Sequence, residues 1–195
     1  MNSYSTKLAV LISGGGRSLE NLVEHISAGE LDARIQLVVS NREDSGGLVR
    51  ARNHDLPTTV VDAQKEMGPE QFSAAVFGQV QAAGCNLVVL AGFLRFLPIP
   101  ENWLGRVINI HPSLLPAFGG KGFYGDRVHK AVLARGVKFT GCTVHYVDNI
   151  YDNGPILLQR CIEVADNDNV DSLAARVFEE EKIALPQAIA MHAQR

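Results

Sequence analysis

The sequence is poor in cysteine and in long apolar segments, and it carries little net charge. Its three cysteines are odd in number and widely spaced, with no Cys-x-x-Cys pair, so we expect neither a disulfide framework nor a zinc site. This cysteine usage favours a reducing, cytoplasmic setting. No apolar run is long enough to span a membrane, and the short polar start does not resemble a signal peptide. The formal net charge of −3 gives no general attraction to nucleic acid or to an anionic membrane.

Apolar residues are plentiful, since 46% of the 195 residues are hydrophobic and 20% are charged, which suits a single folded domain. Strand and helix patterns alternate through the first half, and the strands are continuous apolar runs. Such runs are typical of a parallel sheet that helices cover on both faces. The five strands predicted in this way lie at 8–12, 35–39, 58–61, 87–90 and 107–110.

Helices are predicted between these strands, at 18–28, at 48–54 and from Pro69 onward, where proline takes the first helical position. A further helix is predicted over 124–135.

The last third of the chain has a different pattern. Two strands, at 140–147 and 155–164, are joined by a short connection, which favours an antiparallel pair. A final helix is predicted to begin at Asn169, and residues 167–169 supply the cap candidates. Pro186 lies inside this helix, and we expect it to kink or break it.

A glycine-rich turn follows the first predicted strand and precedes the first predicted helix. Gly14, Gly15 and Gly16 would let a ligand approach the backbone, and the helix N-terminus offers amide donors to an anion. Arg17 and Ser18 add side-chain donors, so a phosphate is the natural guest. The spacing matches neither Gly-x-Gly-x-x-Gly nor a Walker loop. A tight turn without a ligand is therefore the alternative.

The candidate catalytic residues are Asn109 and His111 at the end of the fifth strand. Residues two apart on a strand share a face, and Pro112 favours an extended backbone at His111. An amide can stabilise an oxyanion, and an imidazole can act as acid or base. Asp152, in a later Asp-Asn-Gly-Pro turn, could support the imidazolium or be a plain turn residue. Ser113 is a rival nucleophile, although it lies outside any Gly-x-Ser-x-Gly elbow.

Glu181 is a carboxylate on the apolar stripe of the last predicted helix, four residues after Val177 and three before Ala184. Buried carboxylates are rare unless they are paired. Glu181 could therefore meet a ligand hydroxyl or amine, or a structural arginine such as Arg176.

Taken together, these motifs resemble those of the folate-dependent phosphoribosylglycinamide formyltransferases, and the resemblance covers nearly the whole chain. The Asn-Ile-His-Pro-Ser-Leu-Leu-Pro block with a later Asp-x-Gly-Pro is a specific signature of formyl-transferring enzymes. The matching segments are 12–16, 40–42, 90–95, 109–116 and 152–155, with Gln159.

This resemblance implies transfer of a formyl group from 10-formyltetrahydrofolate, as co-substrate, to the amine of glycinamide ribonucleotide, without a metal. The amine would attack the formyl carbon directly. Asn109 and protonated His111 would stabilise the oxyanion, while Asp152 would support His111 and help to move protons. Many relatives have Asn at Ser18 and Gly at Asn153, which are departures in this chain.

The resemblance also implies the binding residues. Glu181 would bind the ribose hydroxyls, and the longer segment 118–127 is expected to act as a mobile lid. The phosphate would be bound by Gly14, Gly15, Gly16, Arg17 and Ser18. The folate would be bound by Leu94, Arg95, Phe96, Leu97, Asn109 and Asp148.

The fold implied by the resemblance is α/β: a three-layer α/β/α sandwich around a mostly parallel, seven-stranded, Rossmann-like sheet. We expect a single domain over 1–195, with a phosphate-binding N-terminal half and a folate-binding, catalytic C-terminal half. The expected protein is a cytoplasmic monomer or homodimer whose partners are small-molecule substrates, not nucleic acid or membrane.

Three rival functions remain open from the sequence. Formyltetrahydrofolate deformylases pass the formyl group to water, but normally carry an N-terminal regulatory domain and a His-His-Ser-Phe-Leu-Pro block. Methionyl-tRNA formyltransferases need a further basic C-terminal domain, which we do not expect here. A non-enzymatic nucleotide-binding module would leave Asn109, His111 and Asp152 without a role.

Overall fold

The computed structural model describes residues 6–62 and 67–195. The earlier elements, in chain order, are β1 (Thr6–Ile12), α1 (Arg17–Ser27), β2 (Ala33–Ser40), α2 (Gly46–Asn53), β3 (Thr58–Val60), α3 (Pro69–Ala82), β4 (Leu87–Leu90) and a 3₁₀ turn (Glu101–Trp103). The later elements are β5 (Val107–His111), α4 (Asp126–Arg135), β6 (Phe139–Tyr146), β7 (Ile156–Glu163) and α5 (Val170–Ala193).

The strands form a seven-stranded sheet in the order β3-β2-β1-β4-β5-β6-β7. β1 runs parallel to both β2 and β4, and β2 runs parallel to β3. β6 and β7 are antiparallel, as their short connection predicts. The predicted α/β class with a mostly parallel seven-stranded sheet is therefore confirmed. Among the described helices, none is both long and apolar enough to cross a membrane.

The described chain divides into two compact units. One contains the residues up to Ile108 together with Ala190–Arg195, and the other is Asn109–Ile189. In the first unit, Leu8 to Ile12 of β1 are completely buried, and so are Leu87 to Val89 of β4. Burial of successive residues means that both strand faces are covered, which explains why these strands read as continuous apolar runs.

The second unit has its own buried residues, which come from strand β6, helix α4 and helix α5. The side chains that are at most 1% exposed there include Val128, Val132, Cys142, Val144, Leu173, Val177, Ala184 and Leu185. β6, whose Cys142 and Val144 are among these buried residues, also carries two polar residues of the candidate site.

Helix α5 confirms one expectation and corrects another. Asn169 caps it as predicted, because its Oδ1 accepts hydrogen bonds from the amides of Asp171 and Ser172, both at 3.0 Å. Of the two outcomes expected at Pro186, a kink or a break, the break is wrong, since the helix continues through it to Ala193. Proline removes one backbone hydrogen bond. Burial of Leu185 and its neighbours offsets that loss, because tertiary packing supplies most helical stability in proteins.

The β6–β7 pair generates a stability prediction at Gly141, which lies opposite Cys161. A Cβ at Gly141 would overlap the backbone carbonyl of Arg160, which cannot move without disturbing the ladder. We expect Gly141→Ala to lower the free energy of unfolding by about 2–3 kcal/mol, as overpacking does. Gly78→Ala is the control: its Cβ meets nothing within 4 Å, and helical alanine should add about 0.5–1 kcal/mol. Urea unfolding measures both, and equal stabilities would contradict the packing described.

Candidate functional site

The three predicted catalytic residues lie together in the second compact unit. Asn109 and His111 both belong to β5, and Asp152 lies in the turn before β7. The Nδ2 of Asn109 donates to Oδ1 of Asp152 across 3.5 Å, a weak hydrogen bond. The Nδ1 of His111 lies 3.6 Å from Oδ2 of the same carboxylate. The i, i+2 spacing on the strand therefore brings the amide and the imidazole to one carboxylate.

Asp152 is held in an uncommon backbone conformation, with φ of 51°. Aspartate tolerates the left-handed region better than most residues, and such strain is found mainly where surrounding contacts enforce it. Asp148 provides those contacts: its Oδ1 accepts from the amide of Ile150 at 2.8 Å, and its Oδ2 accepts from the Asn153 side chain at 2.9 Å. The turn thus presents the Asp152 carboxylate in a fixed direction. Asp148 braces the turn, and its predicted contact with the folate stays a prediction.

The segment after β5 contacts the two titratable residues Asp152 and His111 through its backbone. The amide of Gly120 donates to Oδ2 of Asp152 at 2.8 Å. The carbonyl of Phe118, another residue with positive φ (54°), lies 2.9 Å from Nε2 of His111. Because a carbonyl only accepts, Nε2 of His111 carries the hydrogen of this bond. These two contacts involve backbone atoms and could not be read from the sequence.

His111 is 4% exposed, and its burial lowers its pKa below the ordinary value of 6.5. The negative charge of Asp152 and the carbonyl of Phe118 raise the pKa, and nearby His145 lowers it further. Burial prevails. The imidazole therefore gains a proton less readily than a histidine in water, although two acceptors are in place to receive its hydrogens.

The pKa of Asp152 is shifted downward, so the carboxylate is charged at neutral pH. Burial, the largest single influence, would raise this pKa. Its interactions with His145, with the charge of His111 and with the amide of Gly120 together outweigh burial. The site thus keeps a negative charge beside two imidazoles.

His145 completes the cluster, although it is not one of the predicted catalytic residues. It lies on β6, is 1% exposed, and its Nε2 is 3.1 Å from Nδ2 of Asn109 and 3.7 Å from Oδ1 of Asp152. Its Nδ1 lies 2.9 Å from the carbonyl of Tyr146. The signal in the sequence that could have identified it is its spacing: His145 lies two residues after Thr143, so both side chains project from one face of the strand.

Thr143 fixes the backbone that follows β5. Its hydroxyl donates to the carbonyl of Ser113 at 2.7 Å and accepts from the amide of Leu115 at 3.0 Å. Gln159 on β7 reaches the same hydroxyl at 2.9 Å and the carbonyl of Leu115 at 3.0 Å. The polar residues of β6 and β7 thus hold the start of the segment that carries Phe118 and Gly120.

Ser113 is not arranged as a nucleophile. It is fully buried, and its hydroxyl donates to the carbonyl of Ala117 at 2.6 Å. A nucleophilic serine needs a base within hydrogen-bond reach. The Ser113 hydroxyl donates its hydrogen to a carbonyl and not to a base, so it braces the turn after β5.

The glycine-rich turn lies in the first compact unit and is tied to α2. The carbonyl of Gly14 accepts from the Ser45 hydroxyl at 2.7 Å and from the amide of Gly47 at 2.9 Å. The carbonyl of Gly15 accepts from Nε of Arg50 at 2.8 Å. Both glycines are exposed, and a Cβ on either would meet nothing within 4 Å. The turn is therefore open on the side away from its anchored carbonyls.

Gly16 begins α1 with φ of 74°, and there the chain needs glycine for two reasons. The left-handed conformation disfavours other residues. In addition, a Cβ would lie 2.7 Å from the Cα of Gly47. Arg17 is exposed and Ser18 half-buried in the first turn of α1, next to the helix amides, as the predicted phosphate site requires.

Ser13 connects the loops at the carboxyl ends of three strands. Its hydroxyl donates to Oδ1 of Asn41 at 2.7 Å and accepts from the amide of Leu94 at 2.9 Å. These residues follow β1, β2 and β4, whose carboxyl ends meet at one sheet edge because the strands are parallel. Ligands of open α/β sheets bind at that edge. Ser13, Asn41 and Leu94 all lie in segments that carry the family resemblance, but the hydrogen bonds between them were not predicted.

The predicted folate segment after β4 has both exposed and buried members. Leu94 is 58% exposed, whereas Leu97 is 4% exposed and belongs to the core. Phe96 is half-buried. The guanidinium of Arg95 lies over the ring of Phe72, 4.6 Å from its centroid, a cation–π contact. The segment is thus anchored on α3 by Arg95 and presents Leu94 outward.

Glu181 is half-buried on α5, close enough to β6 for its charge to act on Cys142. Burial raises the pKa of the Cys142 thiol to about 12, and the charge of Glu181 adds to this effect. The alternative partner proposed from the sequence, Arg176, is engaged elsewhere: it contacts Asp168 at 2.5 Å and the carbonyl of Glu163 at 2.9 Å. Within residues 6–62 and 67–195, no cluster of three His, Cys, Asp or Glu could hold a metal ion.

Comparison with known proteins places this chain in a class. The family model described as formyl transferase matches residues 6–189, so the chain belongs to the formyl transferase family. It is similar to glycinamide ribonucleotide transformylase 1 from Symbiobacterium toebii, whose crystal structure has a TM-score of 0.91 and 36% identity and is matched over 99% of this chain and 90% of that one.

Two longer relatives match this chain over only part of their own length. The chloroplastic phosphoribosylglycinamide formyltransferase of Vigna unguiculata is 41% identical over 177 residues, covering 90% of this chain and 57% of the relative. The trifunctional purine biosynthetic protein adenosine-3 of Gallus gallus is 41% identical over 97% of this chain and 18% of the relative. The chain thus spans little more than half of the plant protein and under a fifth of the avian one.

The buried imidazole of His111 generates a prediction on stability and pH. Its folded-state pKa lies below the ordinary 6.5, so the unfolded chain binds more protons and unfolding becomes easier as pH falls through that value. We expect the wild type to lose more stability than His111→Asn between about pH 7.5 and about pH 5.5. Urea unfolding of both proteins at each pH measures the difference.

His192 also has a pKa lowered by burial, but it is present in both proteins and cancels in the comparison. A His111→Asn variant whose stability falls as much as that of the wild type would contradict the buried, neutral imidazole.

Proposed function

We propose that this chain transfers the formyl group of 10-formyltetrahydrofolate to the amine of glycinamide ribonucleotide. The observation that carries the proposal is the single cluster formed by Asn109, His111 and Asp152 in a member of the formyl transferase family. Similarity to a glycinamide ribonucleotide transformylase over 90% of that protein's chain supports the choice of substrate.

The chemistry asked of this cluster is stabilisation of one oxyanion. The amine attacks the formyl carbon, and the carbonyl oxygen gains negative charge as the tetrahedral intermediate forms. An N–H of Asn109 and protonated His111 donate to that oxygen. The bond from the formyl carbon to the folate nitrogen then breaks, and a proton from the amine moves to that nitrogen. Removing one oxyanion donor typically costs about 10²–10³ in rate.

Asp152 has two effects on this reaction in the proposal. Its charge lies 3.6 Å from Nδ1 of His111 and raises the pKa of that imidazole, opposing burial. A carboxylate in this position therefore favours the imidazolium that donates to the oxyanion. Asp152 can also accept the amine's proton directly or through water, because its own pKa is lowered and it is charged beforehand.

The hydrogen on Nε2 of His111 has a partner in the structure, the carbonyl of Phe118 at 2.9 Å. A developing oxyanion is a stronger acceptor than a neutral carbonyl, since hydrogen bonds to charged groups are about twice as strong. Substrate in its transition state therefore competes successfully for this hydrogen. The segment 118–127, which starts at this carbonyl, would serve as the lid in the proposal.

Substrate recognition is assigned to other residues. The turn Gly14 to Ser18, which is exposed at Gly14, Gly15 and Arg17, would bind the phosphate through helix amides and the Arg17 and Ser18 side chains. Glu181 would bind the ribose hydroxyls. Leu94 to Leu97, with Asn109 and the turn braced by Asp148, would bind the folate. The half-burial of Glu181 and the open face of Gly14 and Gly15 support these assignments.

An assay with two arms tests the proposal. The protein is incubated with 10-formyltetrahydrofolate, with and without glycinamide ribonucleotide, and loss of the formyl folate is followed. We expect turnover only when the amine is present. Equal turnover without the amine would identify a deformylase instead. No turnover in either arm would reject formyl transfer.

Asp152→Asn tests the role of the carboxylate. The substitution keeps the shape of the side chain but removes its charge, so we expect kcat to fall by about 10²–10³, with little change in substrate affinity. Asp166→Asn is the matched control, because Asp166 is exposed and forms a surface ion pair with Lys138. Near-normal kcat in Asp152→Asn would reject the proposed role.

A further inference from the structure

His145 is a buried imidazole with three polar atoms around it, and the proposed reaction does not use it. Its Nδ1 lies 2.9 Å from the carbonyl of Tyr146, and its Nε2 lies 3.1 Å from Nδ2 of Asn109. Oδ1 of Asp152 lies farther from Nε2, at 3.7 Å. With 1% exposure, the ring is shielded from bulk water, so these contacts decide which of its nitrogens is protonated.

The contacts define one protonation state of the ring. A carbonyl only accepts hydrogen bonds, so Nδ1 of His145 carries a hydrogen and donates it to Tyr146. An amide nitrogen only donates, so Nε2 has to be bare to accept from Asn109. Asp152 makes the opposite demand, since a carboxylate attracts a hydrogen to Nε2. The amide contact is the shorter by 3.7 − 3.1 = 0.6 Å, which selects the neutral ring with its hydrogen on Nδ1.

This tautomer determines how the Asn109 amide is oriented. If the amide were turned over, its oxygen would face the bare Nε2 of His145 and the carboxylate of Asp152, and both contacts would be repulsive. In the observed orientation, one N–H of Asn109 is directed to His145 at 3.1 Å. The other is held only by the weak 3.5 Å contact with Asp152.

We propose that His145 is a positioning residue for the reaction: its bare Nε2 holds one N–H of Asn109 and so fixes the amide with its second N–H available to the oxyanion. The strong contact prevents the amide from turning, and the weak contact is the one that the oxyanion replaces. This inference rests on the proposed formyl transfer. It adds to that reaction a residue that does not touch the substrate.

The tautomer itself can be measured without any variant and without activity. Long-range proton–nitrogen NMR of the nitrogen-labelled protein distinguishes a ring protonated on Nδ1 from one protonated on Nε2 or on both. We expect the His145 signal, assigned by its loss in a His145 variant or by through-bond correlation to its backbone, to show a hydrogen on Nδ1 alone at neutral pH. A hydrogen on Nε2 would overturn the proposal, whether or not formyl transfer is found.

Two substitutions separate positioning from packing. His145→Asn keeps a donor near Tyr146 but cannot reach Asn109, so we expect kcat to fall about tenfold or more, with the KM for glycinamide ribonucleotide changed less than about twofold. His145→Gln places an amide oxygen near the position of Nε2 and can accept from Asn109. We therefore expect it to recover most of the lost kcat. Thermal unfolding of each variant reports any loss of packing.

A double-mutant cycle with Asn109→Ala provides the decisive control. If His145 acts through Asn109, adding His145→Asn to Asn109→Ala lowers kcat no further. Independent, additive losses in the two variants would overturn the proposal, and so would a kcat loss that His145→Gln does not recover. Should the His145 variants fail to fold, the NMR tautomer decides. Absence of turnover in the wild type would reject the proposed function and leave the tautomer test of His145 unaffected.

Discussion

The carboxylate of Asp152 is the group on which the geometry of the candidate site depends. Its two oxygens face three side chains, those of Asn109, His111 and His145, at 3.5–3.7 Å, and they accept one backbone amide from Gly120 at 2.8 Å. A buried carboxylate is costly unless it is surrounded by donors or positive charge. Two of the side chains around this charge, Asn109 and His111, are the groups proposed to act in catalysis.

The turn that carries this carboxylate contains backbone conformations that are unfavourable for residues other than glycine. Asp152 and Phe118 both have positive φ, and each lies at the base of a loop that touches His111. Gly119 directly follows Phe118, and a Cβ at Gly119 would lie 3.2 Å from the Cβ of Asp152. The close approach of the two loops explains why position 119 is a glycine, since a larger side chain would force the loop away from the carboxylate.

The division of labour within the cluster follows from the strength of each contact. Where the contact is short, as between His145 and Asn109, the group is fixed; where it is long, as between Asn109 and Asp152, a hydrogen remains available to the substrate. Preorganised donors accelerate a reaction because they need no rearrangement when charge develops. The proposed role of His145 is a case of this principle, with one imidazole used for orientation and the other, His111, for charge.

Much of this architecture could be predicted from the sequence, because buried strands appear as apolar runs and Asn109 and His111 are two residues apart on one of them. Asp152 was identified by its turn chemistry and by resemblance. The backbone partners Phe118 and Gly120 could not be predicted, because any residue has a carbonyl and an amide. Nor could the role of His145, which depends on the tautomer that its neighbours select. The continuity of α5 through Pro186 was missed because tertiary burial outweighs a local preference.

The proposed function depends on where the formyl group goes. The most direct measurement supplies 10-formyltetrahydrofolate with an isotopic label in the formyl carbon, together with glycinamide ribonucleotide, and traces the label after a single turnover. The account predicts that the label is recovered in the N-formylated ribonucleotide. Recovery of the label in formate, at the same rate with or without the amine, would contradict it.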